Sequence, residues 1–246
     1  MIQELWDRII KMLHILAPEI WLSIQPGASE SVIRQAEETM EMQFPEEVKA
    51  FYRMQNGMAE RWFEGAADLS EEMQESYHLS KNPQNIEGII DTYSIGSLEQ
   101  ISRSWESLKE DHGYNTYIPH LDTGIFAPYE WHPKWFPFMG NIFASSYCID
   151  LAPGPMGQMG QVLHTTTTSH GKIEMHVVAP NLQIFLATLA QDLEAGKYHF
   201  DETTGVLWSQ KMLSTVSSNM LIYLKELRQR GKHGGPLPQD ASYDWP

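Results

Sequence analysis

The chain has 246 residues, of which 42% are hydrophobic and 20% charged, as is typical of a folded globular protein with a sizeable core. Its 17 Lys and Arg stand against 32 Asp and Glu, and the resulting net charge of −15 argues against binding to nucleic acid or to an anionic membrane surface. There is no apolar run of membrane-spanning length, no signal sequence at the start and only one cysteine, so we expect a cytoplasmic protein without an intramolecular disulfide.

The charge is unevenly distributed along the chain. Residues 1–208 contain 12 Lys and Arg against 29 Asp and Glu, a net charge of −17, whereas residues 209–233 carry a net charge of +4. An acidic body attracts a basic protein partner, but an acidic surface also simply keeps a protein soluble. Charge alone therefore leaves both interpretations open.

The N-terminal quarter is predicted to be helical. Ser29 is placed to cap a second helix. A third helix is predicted over Pro45–Gln55, with Pro45 in its first turn and Asn56-Gly57 ending it in a left-handed conformation. The first helix is expected to end before Pro18. It is predicted from apolar residues at helical spacing: Leu5, Ile9, Leu13 and Leu16.

An acidic stretch follows within residues 58–96, which we interpret as an exposed insertion. Its acids are Glu60, Glu64, Asp68, Glu71, Glu72 and Glu75. Ser97 and Gln100 then have the spacing of a capping box, which predicts a helix that ends near Gly113.

The pattern changes to short β-rich segments after residue 117. The predicted strands are Trp135–Met139, Ser145–Leu151, Gly160–His164 and Ile173–Val178, followed by the shorter pair Tyr198–Phe200 and Val206–Trp208. A hairpin at His170-Gly171 would place His164 opposite His176. Further helices are predicted from Pro180 to Gly196 and over Gln210–Arg230. Helices, then a meander of strands, then helices indicate one α+β domain.

The sequence contains no recognisable catalytic constellation. The Gly- and Pro-rich segment Ala152–Gly160 lacks the Gly-Lys-Ser/Thr of a phosphate loop and is better explained as a turn between strands. Ten histidines occur without the spacing of a zinc site, and we expect no metal and no cofactor. Cys148 lies in a predicted strand without a helix N-terminus or cation beside it, which favours a buried structural cysteine.

Six aromatic residues lie close together in the sequence: Phe126, Tyr129, Trp131, Trp135, Phe136 and Phe138. They are predicted to pack in the core, with stacking against a sugar as the alternative.

Three segments in order resemble the SUKH superfamily of the Smi/Knr type. The first is Pro26-Gly-Ala-Ser-Glu-Ser-Val-Ile-Arg-Gln-Ala-Glu37 with Phe44-Pro45 and Asn56-Gly57. The second is Trp135-Phe-Pro-Phe138 with Cys148-Ile-Asp-Leu151, Gly157 and Gly160-Gln-Val162. The third is Val178-Ala179, Phe185-Leu186, Leu193-Glu-Ala-Gly-Lys-Tyr198 and Gly205.

The resemblance implies a single α+β domain, a mixed and mostly antiparallel sheet flanked by helices, without catalytic residues. Bacterial members of the superfamily are mostly immunity proteins that neutralise toxins, often nucleases, and fungal members are regulators of cell-wall synthesis. Two features depart from the family pattern. The turn Gly140–Ser146 lacks the acid that members often carry there, and the basic helix after residue 209 lies outside the shared region, where it would dock on the acidic body or bind another partner.

These observations lead to a division into a SUKH-like domain over residues 1–208, a helical extension over 209–231 and a flexible tail over 232–246. The leading hypothesis is a non-catalytic immunity protein that binds a protein partner, such as a basic toxin. The alternatives are a regulatory scaffold in cell-wall synthesis or stress signalling, and a carbohydrate binder or enzyme that uses the aromatic residues. The predicted partner-binding residues are Glu60, Glu64, Asp68, Glu71, Glu72, Trp131 and Asp150, the last with a second possible role in satisfying backbone N–H groups of its turn.

Overall fold

The fold was determined as a computed structural model that describes residues 1–58, 88–110, 122–126, 131–140, 145–167 and 173–231. The helices in this part of the chain are α1 Ile2–Leu16, α2 Pro18–Ser23, α3 Glu30–Thr39, α4 Glu46–Met54, α5 Leu98–Glu110, α6 Leu182–Glu194, α7 Gln210–Leu213 and α8 Ser218–Gly231. The strands are β1 Ile24–Pro26, β2 Gln55–Met58, β3 Ser94–Ile95, β4 Trp135–Gly140, β5 Ser146–Asp150, β6 Val162–Thr167, β7 Ile173–Ala179, β8 Tyr198–Asp201 and β9 Val206–Ser209. The predicted α+β class is confirmed.

Five strands form an antiparallel meander in the order β3-β4-β5-β6-β7, and the pairs β1-β2 and β8-β9 form two small sheets. Side chains on successive residues of a strand point to opposite faces, so β4 and β5 each contribute to two cores. Phe136 and Ile149 face the helices, whereas their neighbours Trp135 and Cys148 belong to a smaller core on the opposite face.

The larger core fills the space between the meander and the helices. Trp6 of α1 meets Phe51 of α4 edge to face, with ring centroids 5.1 Å apart. Phe136 of the sheet lies 4.7 Å from Phe44 and 5.7 Å from Tyr52, measured between ring centroids. Aromatic residues bury large apolar areas, so this contact helps to hold the sheet against the helices.

The predicted helix caps are present. The Ser29 hydroxyl accepts a hydrogen bond from the backbone N–H of Val32 at 3.4 Å. Ser97 and Gln100 form a reciprocal capping box, since the Gln100 side chain accepts from Ser97 N at 2.8 Å and Gln100 N donates to the Ser97 hydroxyl at 3.2 Å. Gly196 has a φ of 68° and ends α6, as its position in the sequence predicted.

The prediction that Gly57 ends the third helix was wrong. The helix ends at Met54, one residue before its predicted end, and it ends because Gln55 takes an extended conformation and begins β2. Gly57 does have a positive φ of 83°, but it uses this within the strand, where a Cβ atom would lie 2.4 Å from the backbone nitrogen of Ser97. The glycine therefore permits β2 to pass close to the start of α5.

The predicted helix over Gln210–Arg230 is broken into α7 and α8. The hydroxyl of Ser214 donates to the Lys211 carbonyl at 2.7 Å, and that of Thr215 donates to the Met212 carbonyl at 3.1 Å. The Ser217 hydroxyl accepts from Met220 N at 3.2 Å and so caps a new helix. Short hydroxyl side chains that bond to nearby backbone favour such interruptions, a preference that the apolar periodicity does not report.

The last helix docks on the body of the protein. Leu224 is fully buried, and Arg228 is only 7% exposed. Both oxygens of the Glu19 carboxylate accept from Arg228 Nη2, at 2.8 and 2.7 Å, and Arg228 Nε donates to the Glu202 carbonyl at 2.7 Å. This contact, which we call the terminal clamp, confirms the alternative that the basic helix packs on the acidic body.

In the described ranges, every helix is too short or too polar to traverse a bilayer.

Candidate functional site

The structure separates the predicted partner-binding residues into three groups. Glu60, Glu64, Asp68, Glu71 and Glu72 lie outside the described residues, and their assignment stays a prediction. Trp131 and Asp150 are described, and they have different surroundings.

Asp150 does not face a partner. It is fully buried at the end of β5, where one carboxylate oxygen accepts from the backbone N–H of Ala152 and the other from the side-chain amide of Gln161, both at 2.9 Å. The partner-binding role assigned to this acid is therefore corrected, because a carboxylate held on both oxygens inside the protein has no surface to offer. The alternative role, satisfying backbone N–H groups of the turn, is the one observed.

Gln161 extends the same network to a second segment. The side chain is only 3% exposed, and its Nε2 also donates to the Gly124 carbonyl at 2.9 Å, while its Oε1 accepts from Gln158 N at 3.0 Å. The residue thus uses every strong hydrogen-bonding direction of its amide except one acceptor lone pair. It fixes the turn 151–161 against the segment 122–126.

Glycines let these two segments approach closely. The Gly154 N–H donates to the Gly124 carbonyl at 3.0 Å, and a Cβ atom on Gly157 would lie 2.2 Å from the same oxygen. Such a Cβ would force the backbones apart. The segment 152–160 lacks the sequence of a phosphate loop, and its glycines instead allow a tight turn that packs closely against residues 122–126.

The two bonded segments form a surface that we call the turn surface. It includes a cavity of about 420 Å³, open to solvent, lined by Asp122, Thr123, Gly124, Met156, Gln161 and Val177. Large apolar side chains on the same segments are exposed: Phe126 by 63%, Met156 by 72% and Met159 by 61%. Exposed apolar residues around a concavity are typical of a protein-binding site, and methionines adapt readily to different partners.

Trp131 is half-buried beside the helices. Its ring centroid lies 6.1 Å from that of Trp105, and it packs against the larger core. Its indole Nε1 is buried without a hydrogen-bond partner among the described residues. A structural role for the ring is thus evident, and contact of its exposed part with a partner stays a prediction.

Three of the other aromatic residues are too deeply buried to stack against a sugar. Trp135, Phe136 and Phe138 are at most 2% exposed, so their faces are unavailable to a ligand. The alternative that these three residues stack against a sugar is therefore wrong, and the prediction that they pack in the core is confirmed. Phe126 is exposed on the turn surface, and Tyr129 lies outside the described residues.

The cross-strand histidine pair is confirmed, since His164 and His176 are register partners of β6 and β7. His164 Nε2 lies 2.7 Å from the Tyr93 hydroxyl, and the Tyr147 ring stacks on its imidazole with centroids 4.5 Å apart. Burial lowers the pKa of His164 to about 4, so the ring is neutral at pH 7. Three or more side chains suited to holding a metal ion do not converge anywhere in the described ranges.

Cys148 is buried in β5 as predicted, and burial raises the pKa of its thiol to about 11. Because the thiolate is the reactive form, we expect a maleimide to label native Cys148 at pH 8 at least roughly a hundredfold more slowly than it labels the urea-unfolded chain. Mass spectrometry of timed samples measures both rates. Equal rates would show that the thiol is accessible and activated in the folded protein.

Comparison with known proteins finds a matching family and several similar fungal proteins. Residues 27–188 match the SMI1/KNR4 family (SUKH-1). The chain is 27% identical over 230 residues to KNR4/SMI1 homolog 2 of Debaryomyces hansenii, a match that covers 82% of this chain and 37% of the relative. It is 23% identical over 209 residues to the cell wall assembly regulator SMI1 of Saccharomyces cerevisiae, covering 74% of this chain and 38% of the relative.

A third relative is the cell wall biosynthesis/cell cycle regulator smi1 of Schizosaccharomyces pombe, 25% identical over 213 residues, covering 82% of this chain and 38% of the relative. The chain thus spans less than two fifths of the length of these fungal proteins. The family match includes the helices α3 to α5, the whole meander and the turn surface, which is well over half of the chain. The chain belongs to the SMI1/KNR4 family (SUKH-1).

Proposed function

We propose that this chain is a non-catalytic, protein-binding domain with a regulatory role in cell-wall assembly. The observation that carries the proposal is that relatives named as cell-wall regulators match 74–82% of the chain. The proposal follows the regulatory alternative of the sequence analysis. The acidic body remains compatible with an immunity protein, but the names of the relatives favour a regulator.

The interior chemistry supports a binding role. Groups that often act in catalysis have structural partners here: Asp150 holds its turn, His164 lies between two tyrosines, and Cys148 is a buried thiol. Asp150 and Cys148 are buried and so are kept from substrate, since general acid-base and nucleophilic catalysis need the group to reach the reacting atoms. A cytoplasmic location forms part of the proposal, and a lone cysteine in the thiol form supports it.

The turn surface is the best candidate for the docking site. Its backbone is fixed by the hydrogen bonds of Asp150 and Gln161, whereas its exposed side chains, Met156 and Met159, are flexible. A rigid backbone loses little conformational entropy on binding, and adaptable side chains let the surface fit its partner.

A domain exchange in yeast tests the proposal. The part of the Saccharomyces cerevisiae regulator that matches this chain is replaced by residues 1–246, and cell-wall polysaccharide per dry mass is compared with that of wild type and of a strain that lacks the matched part. We expect the exchange to restore most of the difference. Polysaccharide content that stays at the level of the deletion would contradict the regulatory role.

Two variants serve as controls in the same strain. Met156→Ser with Met159→Ser alters exposed side chains and should reduce the restoration while leaving the folded protein intact, as judged by circular dichroism of the purified domain. Ile222→Ser removes an exposed apolar residue from α8 and should have no effect. Equal losses from both changes would show that the turn surface has no special part.

A further inference from the structure

We propose that the cavity of the turn surface receives a lysine or arginine side chain of a protein partner. The inference rests on the proposed function, since it names the chemistry of the partner for that same surface. It is carried by three features of the cavity: its charge, its apolar wall and its fixed floor.

The charge of the cavity is negative. Asp122 is the only acidic or basic residue among the described residues that line it, and its side chain is 46% exposed. One carboxylate oxygen accepts from the backbone N–H of Val177 at 2.8 Å, which holds the carboxylate in place. The other oxygen lies 3.6 Å from Nδ1 of His176, and Glu174 lies 3.8 Å from Nε2 of the same ring. A cationic group entering the cavity would thus meet a positioned carboxylate, whereas Glu174 does not line the cavity.

The apolar wall suits the stem of a basic side chain. Met156 and Val177 line the cavity together with Asp122. Lysine and arginine bury their methylene stems against apolar surface while the charged head reaches a polar group. A purely apolar anchor would use the wall but would strip water from Asp122 without replacing it, which is unfavourable. The combination of wall and carboxylate therefore selects a basic residue over an aliphatic one.

The floor of the cavity is built from groups that are already satisfied. The Gln161 amide bonds to Gly124, Gln158 and Asp150, and the Gly124 carbonyl accepts from both Gln161 and Gly154. These groups do not have to reorganise when a side chain enters. The surrounding body, with its net charge of −17 over residues 1–208, attracts a basic partner at long range and accelerates the encounter.

A titration with two matched peptides tests the inference. Protein labelled with ¹³C at the methionine methyl groups is titrated with the blocked pentapeptide Gly-Ser-Arg-Ser-Gly and with its citrulline counterpart, which has the same shape but no charge. We expect the Met156 methyl signal to shift saturably, with a Kd about fivefold lower for the arginine peptide, a ratio typical of an exposed ion pair. Equal Kd values for the two peptides, or no shift at Met156, would overturn the inference.

Two isosteric variants locate the effect. Asp122→Asn keeps an acceptor for the Val177 N–H but removes the charge, and it should abolish the preference for arginine. Glu174→Gln removes a nearby acid that is not among the residues lining the cavity, and it should leave the preference unchanged. If Glu174→Gln had the same effect as Asp122→Asn, the overall negative charge of the surface would explain the preference for arginine, and the inference that the cavity binds a basic side chain would be wrong.

The two proposals fail in different experiments. If the peptides show no preference while the domain exchange restores cell-wall polysaccharide, the inference about the cavity is wrong and the regulatory role stands. If the arginine peptide binds as expected while the exchange has no effect, the cavity is a binding site and the regulatory role is wrong.

Discussion

Replacement of Asp150 by alanine is expected to lower the free energy of unfolding by about 3 kcal/mol, because each buried group left without its hydrogen bond costs roughly 1–3 kcal/mol. The two groups affected are the backbone N–H of Ala152 and the side-chain amide of Gln161. The Gln161 amide would remain buried, since Gln161 is only 3% exposed, whereas the N–H of Ala152 is part-buried.

Asparagine at the same position separates the contribution of the two bonds. The two donors bond to different oxygens of Asp150, so the single oxygen of asparagine would face only one of them and its NH₂ group would face the Gln161 amide; about half of the effect is therefore expected. Urea unfolding followed by tryptophan fluorescence measures all three proteins. A loss of less than about 1 kcal/mol for Asp150→Ala would mean that the network contributes little to stability. If asparagine matched the wild type, the second bond would be dispensable.

Phe136→Ala is expected to destabilise the protein by about 3–5 kcal/mol, the range observed when a buried phenylalanine is truncated. Phe136 is fully buried and touches Phe44 and Tyr52, so its removal leaves a cavity between sheet and helices. Phe126→Ala is the matched control, because Phe126 is 63% exposed on the turn surface. It should change stability by no more than about 0.5 kcal/mol.

Thermal and urea unfolding of both variants provide the measurement. The same pair of variants distinguishes the two roles of the aromatic residues, since Phe126→Ala is expected to weaken partner binding without affecting the fold. If Phe126→Ala were as destabilising as Phe136→Ala, the described exposure of Phe126 would be wrong, and its ring would have to be assigned to the core.

Local signals predicted most of the secondary structure. The serine cap at Ser29, the capping box at Ser97 and the stop at Gly196 each depend on residues within a few positions, which the sequence displays directly. Strands β4 to β7 of the meander were found from β-rich segments bounded by turn residues, and the resemblance to the SUKH superfamily anticipated the fold class. Strand β3 was missed, because it lies at the end of the segment 58–96 that was interpreted as an exposed insertion, whereas Tyr93 and Ile95 are buried. The correct predictions of caps and helix ends all depend on residues close to one another in the sequence.

The errors arose where the structure depends on contacts between residues distant in the sequence, or on local hydrogen bonds that compete with the expected element. Gly57 was assigned to a helix end because its contact with Ser97, forty residues away, is not visible in the sequence. The final helix was predicted as continuous because its apolar spacing persists through Ser214 and Ser217, whose hydroxyls nevertheless interrupt it. Helix α2 was missed because Pro18, taken as an end signal, also opens a new helix well.

The candidate site was only partly predictable. Asp150 stood out as an acid between apolar neighbours, but the residue that completes its environment, Gln161, has no distinguishing sequence signal. The cavity joins Asp122 to Val177 across 55 residues, so only the sheet topology brings its walls together. The exposure of Met156 and Met159 could have been anticipated, since both lie in a turn rich in glycine and proline.

The terminal clamp has a consequence for synthesis on the ribosome. Glu19 and Arg228 are separated by 209 residues, and a second link, between Arg8 and Glu194, spans 186. During translation the first two helices are therefore made long before the residues that secure them exist. Helix α1 can meet α4 as soon as Phe51 is made, but the links to Glu194 and Arg228 form only after most of the chain has emerged, so the final packing of the first two helices is a late step.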